Sequence, residues 1–202
     1  MPENPAETVL VALGSNESST HGGPAETVGR ALAELDGNGL EVVATSRLFE
    51  TPCFPPGAGP DFVNAAVSLR TRLAPRAVLA RLHDIERAHG RDRAERWAQR
   101  TLDLDLIAYG ELVLPDRETL VHWINLPLSV QKRRAPDTLI LPHPRLQDRA
   151  FVLIPLADVA PGWRHPILGK TIGQMADTLP ESDKNDIRAL DRDGFAGNIP
   201  CQ

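Results

Sequence analysis

An α+β sandwich of ferredoxin-like topology, an antiparallel sheet with helices on one face plus an inserted arm, is the fold this chain predicts. Three observations lead there. Up to Tyr109 the apolar patterning runs strand, helix, strand, strand, helix, strand, an order that builds such a sandwich. The 202 residues with 42% hydrophobic content suit one domain with a real core. Beyond Asp116 the pattern changes to an alternating apolar stretch, a basic patch and a Pro-flanked His143, set apart from the strands and helices before it.

The first strand is TVLVAL at 8–13, which stops abruptly at the turn signal Gly14-Ser15-Asn16. From Pro24 to Leu35 the apolar positions Val28, Ala31, Leu32 and Leu35 fall at helical spacing, and Gly37 is placed to end that helix. EVVATSRLFE at 41–50 and FVNAAVSLRT at 62–71 are rich in strand formers, and the Pro/Gly density of 52–60 between them marks an irregular loop. Pro75 opens a second helix with Val78, Leu82, Ile85 and His89 on one face and Gly90 at its end. An arginine-rich loop follows, then RTLDLDL at 100–106. In the inserted segment Ile124, Leu126, Leu128 and Val130 alternate as in a hairpin-like arm, and Lys132 to Arg134 form a basic patch. FVLIPLADVAP at 151–161 predicts a helix interrupted by Pro155, and 171–202 thins into a polar tail.

Bulk composition narrows the classes of function. The net charge of −5 leaves no chain-wide footprint for nucleic acid, so any anion site must be local. There is no apolar run of membrane-spanning length, and MPENPAETVL lacks the basic and apolar regions of a signal peptide, so a cytoplasmic protein without membrane contact is expected. Cys53 and Cys201 have no zinc-ligand or Cys-x-x-Cys spacing and are expected as thiols.

The chemistry gathers around RTLDLDL. Period-two geometry turns Leu102, Leu104 and Leu106 one way and Asp103 and Asp105 the other. Their Cα atoms then lie roughly 6 to 7 Å apart, within reach of one hard cation or a pair. Arg91, Arg93, Arg96 and Arg100 come directly before, and guanidinium forks suit phosphate oxygens. Read alone, that run is a solvated loop with Asp92 and Glu95 pairing locally; beside the aspartates it reads as Mg²⁺ plus phosphate. Trp97 is either packing or a lid over a flat ligand. Asn64 interrupts an apolar strand, either bonded to backbone or aimed at a heterocycle edge, and Phe62 shares its face. His83 and Glu86 are helix neighbours at the edge of the apolar stripe, and His143, Arg149 and Phe151 form a third cluster. His21, His89, His122 and His165 have no partner at ligand spacing and are read as structural.

LGSN, FETP, DFVNAAV, IER, GRDRAERW, RTLDLDL and LPHPRLQDRAFVLIPL together resemble the 6-hydroxymethyl-7,8-dihydropterin pyrophosphokinases over about Val9 to Thr171. The resemblance implies the same sandwich fold and transfer of pyrophosphate from ATP to the pterin hydroxymethyl group, releasing AMP, in folate biosynthesis. It implies two Mg²⁺ ions on Asp103 and Asp105, and catalytic roles for both with Arg91 and Arg100. The pterin falls to Thr51, Cys53, Phe62, Asn64, Trp97 and Phe151, and ATP to His83, Glu86, Arg93, Leu106, His143 and Arg149. On this reading 1–171 is the catalytic domain with an insertion at about 116–140, and 172–202 is a C-terminal helix or tail. A monomer is expected, with a dimer through the insertion as the other arrangement. Two departures stand out: Ala98-Gln99 replaces the family's Gly-Pro, and the stretch between Leu114 and Leu141 is longer than usual. Metal and phosphate groups alone also fit transfer to another flat heterocycle, or a silent ATP- or polyanion-binding module using the arginine loop and residues 132–134.

Overall fold

The computed structural model describes residues 5–18, 22–53, 59–90, 101–131 and 134–190. The arginine loop at 91–100, with Arg91, Arg93, Trp97 and Arg100, lies outside them, as do His21 and Lys132.

The expected order is present. Strand β1 (Glu7–Ser15), helix α1 (Pro24–Glu34), β2 (Leu40–Thr45), β3 (Phe49–Thr51), β4 (Phe62–Thr71), α2 (Pro75–Ala88) and β5 (Asp103–Tyr109) follow in turn. β1 lies between β5 and β4, and β2 and β3 both pair with the far side of β4. All these pairings are antiparallel, which is the ferredoxin-like arrangement.

The expected strand at 41–50 is broken into β2 and β3. Ser46 Oγ accepts from Ala66 N–H and donates to Arg47 O, turning the chain locally. Arg47 then reaches out to Asp158, whose carboxylate accepts from its backbone N–H, Nε and Nη2 at 2.9–3.2 Å.

Alternation along β1 divides two cores. Val9, Val11 and Leu13 face α1 and α2 together with Val28, Leu32, Val78 and Leu82. Leu10 and Ala12 face the other way, against α5 (Ala150–Val159) and α6 (Ile172–Asp177). The helices expected on one face are therefore α1 and α2, and the C-terminal helices add a second layer that buries Leu153, Leu156 and Ile172 completely. Pro155 does not interrupt α5, which runs unbroken through it. A capping box at Thr171 and Gln174 starts α6. A short helix α7 (Glu181–Asn185) and a two-residue strand β6 (Arg188–Ala189) pairing with β3 complete the described chain.

The inserted segment is helical, not a hairpin. Helix α3 spans Arg117–Asn125 and α4 spans Leu128–Gln131. Asp116 caps α3 by accepting from Thr119 N–H at 2.8 Å. The apparent alternation arises because Pro127 forces Leu126 out of the helical region (φ −64°, ψ 134°) and separates two helical pieces. Among the described residues no helix is long and apolar enough to cross a membrane.

Candidate functional site

The site is built on the upper ends of three neighbouring strands. In register across the sheet stand Asp103 on β5, Gly14 on β1 and Asn64 on β4. Two inter-strand spacings separate the first carboxylate from the amide, roughly 10 Å. Leu102, Leu104 and Leu106 are buried while Asp103 and Asp105 are half-buried, so the expected alternation holds.

Asn64 is buried, and its Nδ2 donates to Thr51 Oγ1 at 2.7 Å. That bond turns the amide so that Oδ1 lies over Gly14, where an added Cβ would approach it to 3.0 Å. Glycine thus keeps a bare floor between the amide and the carboxylates. Thr51 pairs in register with Phe62, which is half-buried at the start of β4. Cys53 is buried and its N–H donates to Asp61 Oδ1 at 3.2 Å, closing the base of the Pro-rich loop. Phe151, at the opening turn of α5, keeps 42% of its surface exposed although large apolar groups elsewhere are mostly covered.

On the other side of Asp103 a cleft of about 420 Å³ follows the outer edge of β5. Asp103, Leu104, Asp105 and Leu106 line its floor, and Leu79, His83 and Glu86 from α2 form one wall. Glu86, expected at the rim of its helix, is buried at 1% exposure, and its Oε1 accepts from Leu104 N–H at 2.9 Å. His143, Arg145 and Arg149 close one end. His143 N–H donates to Ile107 O at 2.8 Å, and its Nδ1 accepts from Arg145 N–H at 3.2 Å. Burial, then Arg149 and Arg145, push the imidazole down to about 3, partly countered by Asp103, so it is neutral at physiological pH. Arg149 reaches Asp105 Oδ2 at 3.5 Å, and its guanidinium lies 5.6 Å from the centre of the Phe151 ring.

Arg145 was missed in the sequence. Burial and Arg149 hold its guanidinium below the usual value, and it lines the same cleft. Its signal was position, two residues after His143 in LPHPR. The remaining histidines differ: His89 Nε2 lies 3.0 Å from Glu34 Oε2, joining α2 to α1, and His165 is fully buried.

Among the described residues no group of three or more His, Cys, Asp or Glu side chains gathers in the manner of an all-protein metal cage. Two neighbouring carboxylates with room beside them instead fit Mg²⁺, which keeps waters and takes its remaining oxygens from phosphate. Fold and site thus bring a buried amide, two half-buried carboxylates and a group of guanidinium cations to neighbouring strands of one sheet.

Comparison with known proteins names the family. Residues 10–161 match the family model for 7,8-dihydro-6-hydroxymethylpterin-pyrophosphokinase. A Synechocystis 2-amino-4-hydroxy-6-hydroxymethyldihydropteridine pyrophosphokinase is 39% identical over 74% of this chain and 66% of its own. The Pseudomonas aeruginosa enzyme of that name is 38% identical over 79% of this chain and 85% of its own. A solved Plasmodium falciparum HPPK-DHPS chain superposes with a TM-score of 0.60 at 16% identity, over 92% of this chain and 47% of that longer one. This chain belongs to the 7,8-dihydro-6-hydroxymethylpterin-pyrophosphokinase family.

Proposed function

We propose that this chain transfers the terminal pyrophosphate of ATP to the hydroxymethyl group of 6-hydroxymethyl-7,8-dihydropterin, releasing AMP, as a step of folate biosynthesis. The observation that carries the reading is the row Asp103, Gly14, Asn64, which sets a phosphate-side carboxylate and a ring-side amide at opposite edges of one bare floor.

Asn64, held by Thr51, meets the amide-like edge of the pterin, and Phe62 and Phe151 cover its two faces, with backbone near Cys53 completing the pocket. ATP lies along β5 against His83, Glu86 and Leu106, its phosphates toward His143, Arg145 and Arg149. Neutral His143 can serve the phosphates as a hydrogen-bond donor through Nε2, since Nδ1 is already accepting. Asp103 and Asp105 would hold two Mg²⁺ ions, which supply charge neutralisation and alignment of the triphosphate. The pterin hydroxyl oxygen attacks the β-phosphorus and gives up its proton to solvent, the bond from that phosphorus to the α–β bridging oxygen breaks, and AMP leaves. Arg91 and Arg100, assigned to charge that builds in the transition state, Arg93, assigned to ATP, and Trp97, assigned to the pterin, lie outside the described residues. The reading is of a single cytosolic chain whose partners are these two small molecules.

The test is AMP release from ATP, Mg²⁺ and the hydroxymethyl-dihydropterin, compared with Asp105→Asn. The wild-type chain should form AMP in step with pterin consumed. The variant should lose several kcal/mol of transition-state stabilisation, on the order of a thousandfold in turnover. Formation of ADP in place of AMP, or a variant as fast as wild type, would remove the assignment.

A further inference from the structure

We propose that the inserted segment at about 116–140 is a built wall of the nucleotide cleft, with Trp123 packing against the base of ATP and Arg134 supplying a cation at its rim. The inference rests on the reading of this cleft as the ATP site and assigns it residues from the segment in which this chain exceeds the usual length.

The segment leaves and rejoins the body at one point. Leu114 N–H donates to Leu141 O at 2.9 Å and Leu141 N–H to Leu114 O at 3.1 Å, a paired antiparallel bridge that brings both ends together. Leu141 is fully buried in the core under α2, so the neck is anchored beside the cleft. From that neck α3 is fixed at its start by the Asp116 cap and in rotation by Leu120, which has no exposed surface. Trp123 is one turn beyond Leu120 and is carried to the same side. It lines the cleft, as do Arg134, Ala135, Pro136 and Thr138 on the returning chain. Leu139 and Ile140 complete this wall, facing Leu79 and His83 on α2.

Two kinds of side chain line the cleft. The end at His143, Arg145 and Arg149 carries the cations that polyphosphate needs, and the floor carries the carboxylates. Leu79, Leu139 and Trp123 add apolar surface and an aromatic face to the same cleft, which suits a planar base and not a phosphate. Arg134 is exposed, so its guanidinium is free to lie over the edge of a bound nucleotide or against its charge without a large desolvation cost.

Calorimetric titration in Mg²⁺ with two probes tests this: an ATP analogue carrying a methylene between the α- and β-phosphorus, and inorganic triphosphate. Trp123→Ala should weaken the analogue roughly tenfold to a hundredfold, the range of one base–aromatic stack, and leave triphosphate unchanged. Trp123→Phe should recover most of the loss. Arg134→Gln should weaken the analogue several-fold and flatten its salt dependence. If Trp123→Ala does not fold, as circular dichroism would show, Trp123→Leu, which keeps apolar bulk without an aromatic face, and Arg134→Gln decide the matter by the same titration, both expected to weaken the analogue. Trp123→Ala or Arg134→Gln binding the analogue like wild type, or Trp123→Ala losing triphosphate in equal proportion, overturns the proposal. A wild-type chain that releases AMP alongside unaffected variants sinks this inference alone, whereas a wild-type chain that neither binds the analogue nor releases AMP sinks the assigned function.

Discussion

At the scale of single residues, a Cβ on Gly14 would come within 3.0 Å of Asn64 Oδ1, and Asn64 cannot yield without stretching its 2.7 Å bond to Thr51. Gly14→Ala should therefore tilt the amide and weaken pterin binding by about tenfold, the scale of one displaced hydrogen bond, while the ATP analogue binds as before. Fluorescence titration of the pterin checks this, and equal losses for both ligands would show a general disturbance of the sheet. Much of this was legible: an amide amid apolar neighbours in FVNAAV, and aspartates alternating with leucines, are visible in one dimension. What was not legible is who holds whom. Gly14-Ser15-Asn16 looks like any turn until the register sets Gly14 between Asp103 and Asn64, and the Thr51 hydroxyl finds Asn64 only because β3 pairs with β4. Glu86 looked like a rim residue because its partner is a backbone N–H of a distant strand.

Among the elements, those up to Tyr109 were readable apart from the break between β2 and β3, because they carry a period and a stop: Pro24 and Pro75 at helix starts, Gly37 and Gly90 in the left-handed region after helix ends. The inserted segment misled because two short helices separated by Leu126-Pro127 mimic alternation. Its readable signal was Asp116 three residues before Thr119, a cap at the head of α3. Because both ends meet at the Leu114–Leu141 bridge, replacing residues 116–137 with a short glycine-rich turn should leave a cooperatively folding chain that still binds pterin. Its affinity for the ATP analogue should fall by at least as much as in Trp123→Ala. Thermal unfolding with paired titrations checks both halves, and unchanged ATP affinity in the folded deletion would show the segment to be outside the site.

The whole molecule carries two cores on opposite faces of one sheet, and the second encloses a histidine region that makes its stability depend on pH. His165 is fully buried, its Nδ1 accepts from Ile167 and Leu168 N–H, and burial pushes it down to about 4. The folded chain therefore holds it neutral while the unfolded chain protonates it below its ordinary 6.5. Its contribution is fully present above pH 6.5 and is lost as pH falls toward 4. His165→Asn keeps an acceptor for those N–H groups and removes the titration. Urea unfolding at pH 7, 5.5 and 4.5 should show a shallower decline for the variant, and parallel curves would mean that His165 titrates alike in both states. The position of the cleft has one more effect on the molecule as a whole. β5 ends the sheet, and an open strand edge is a template on which a second chain can pair and aggregate. Here Glu86 takes the outward N–H of Leu104 and the backbone of His143 takes the outward carbonyl of Ile107, so the groups that shape the cleft also deny that edge to another copy of the protein.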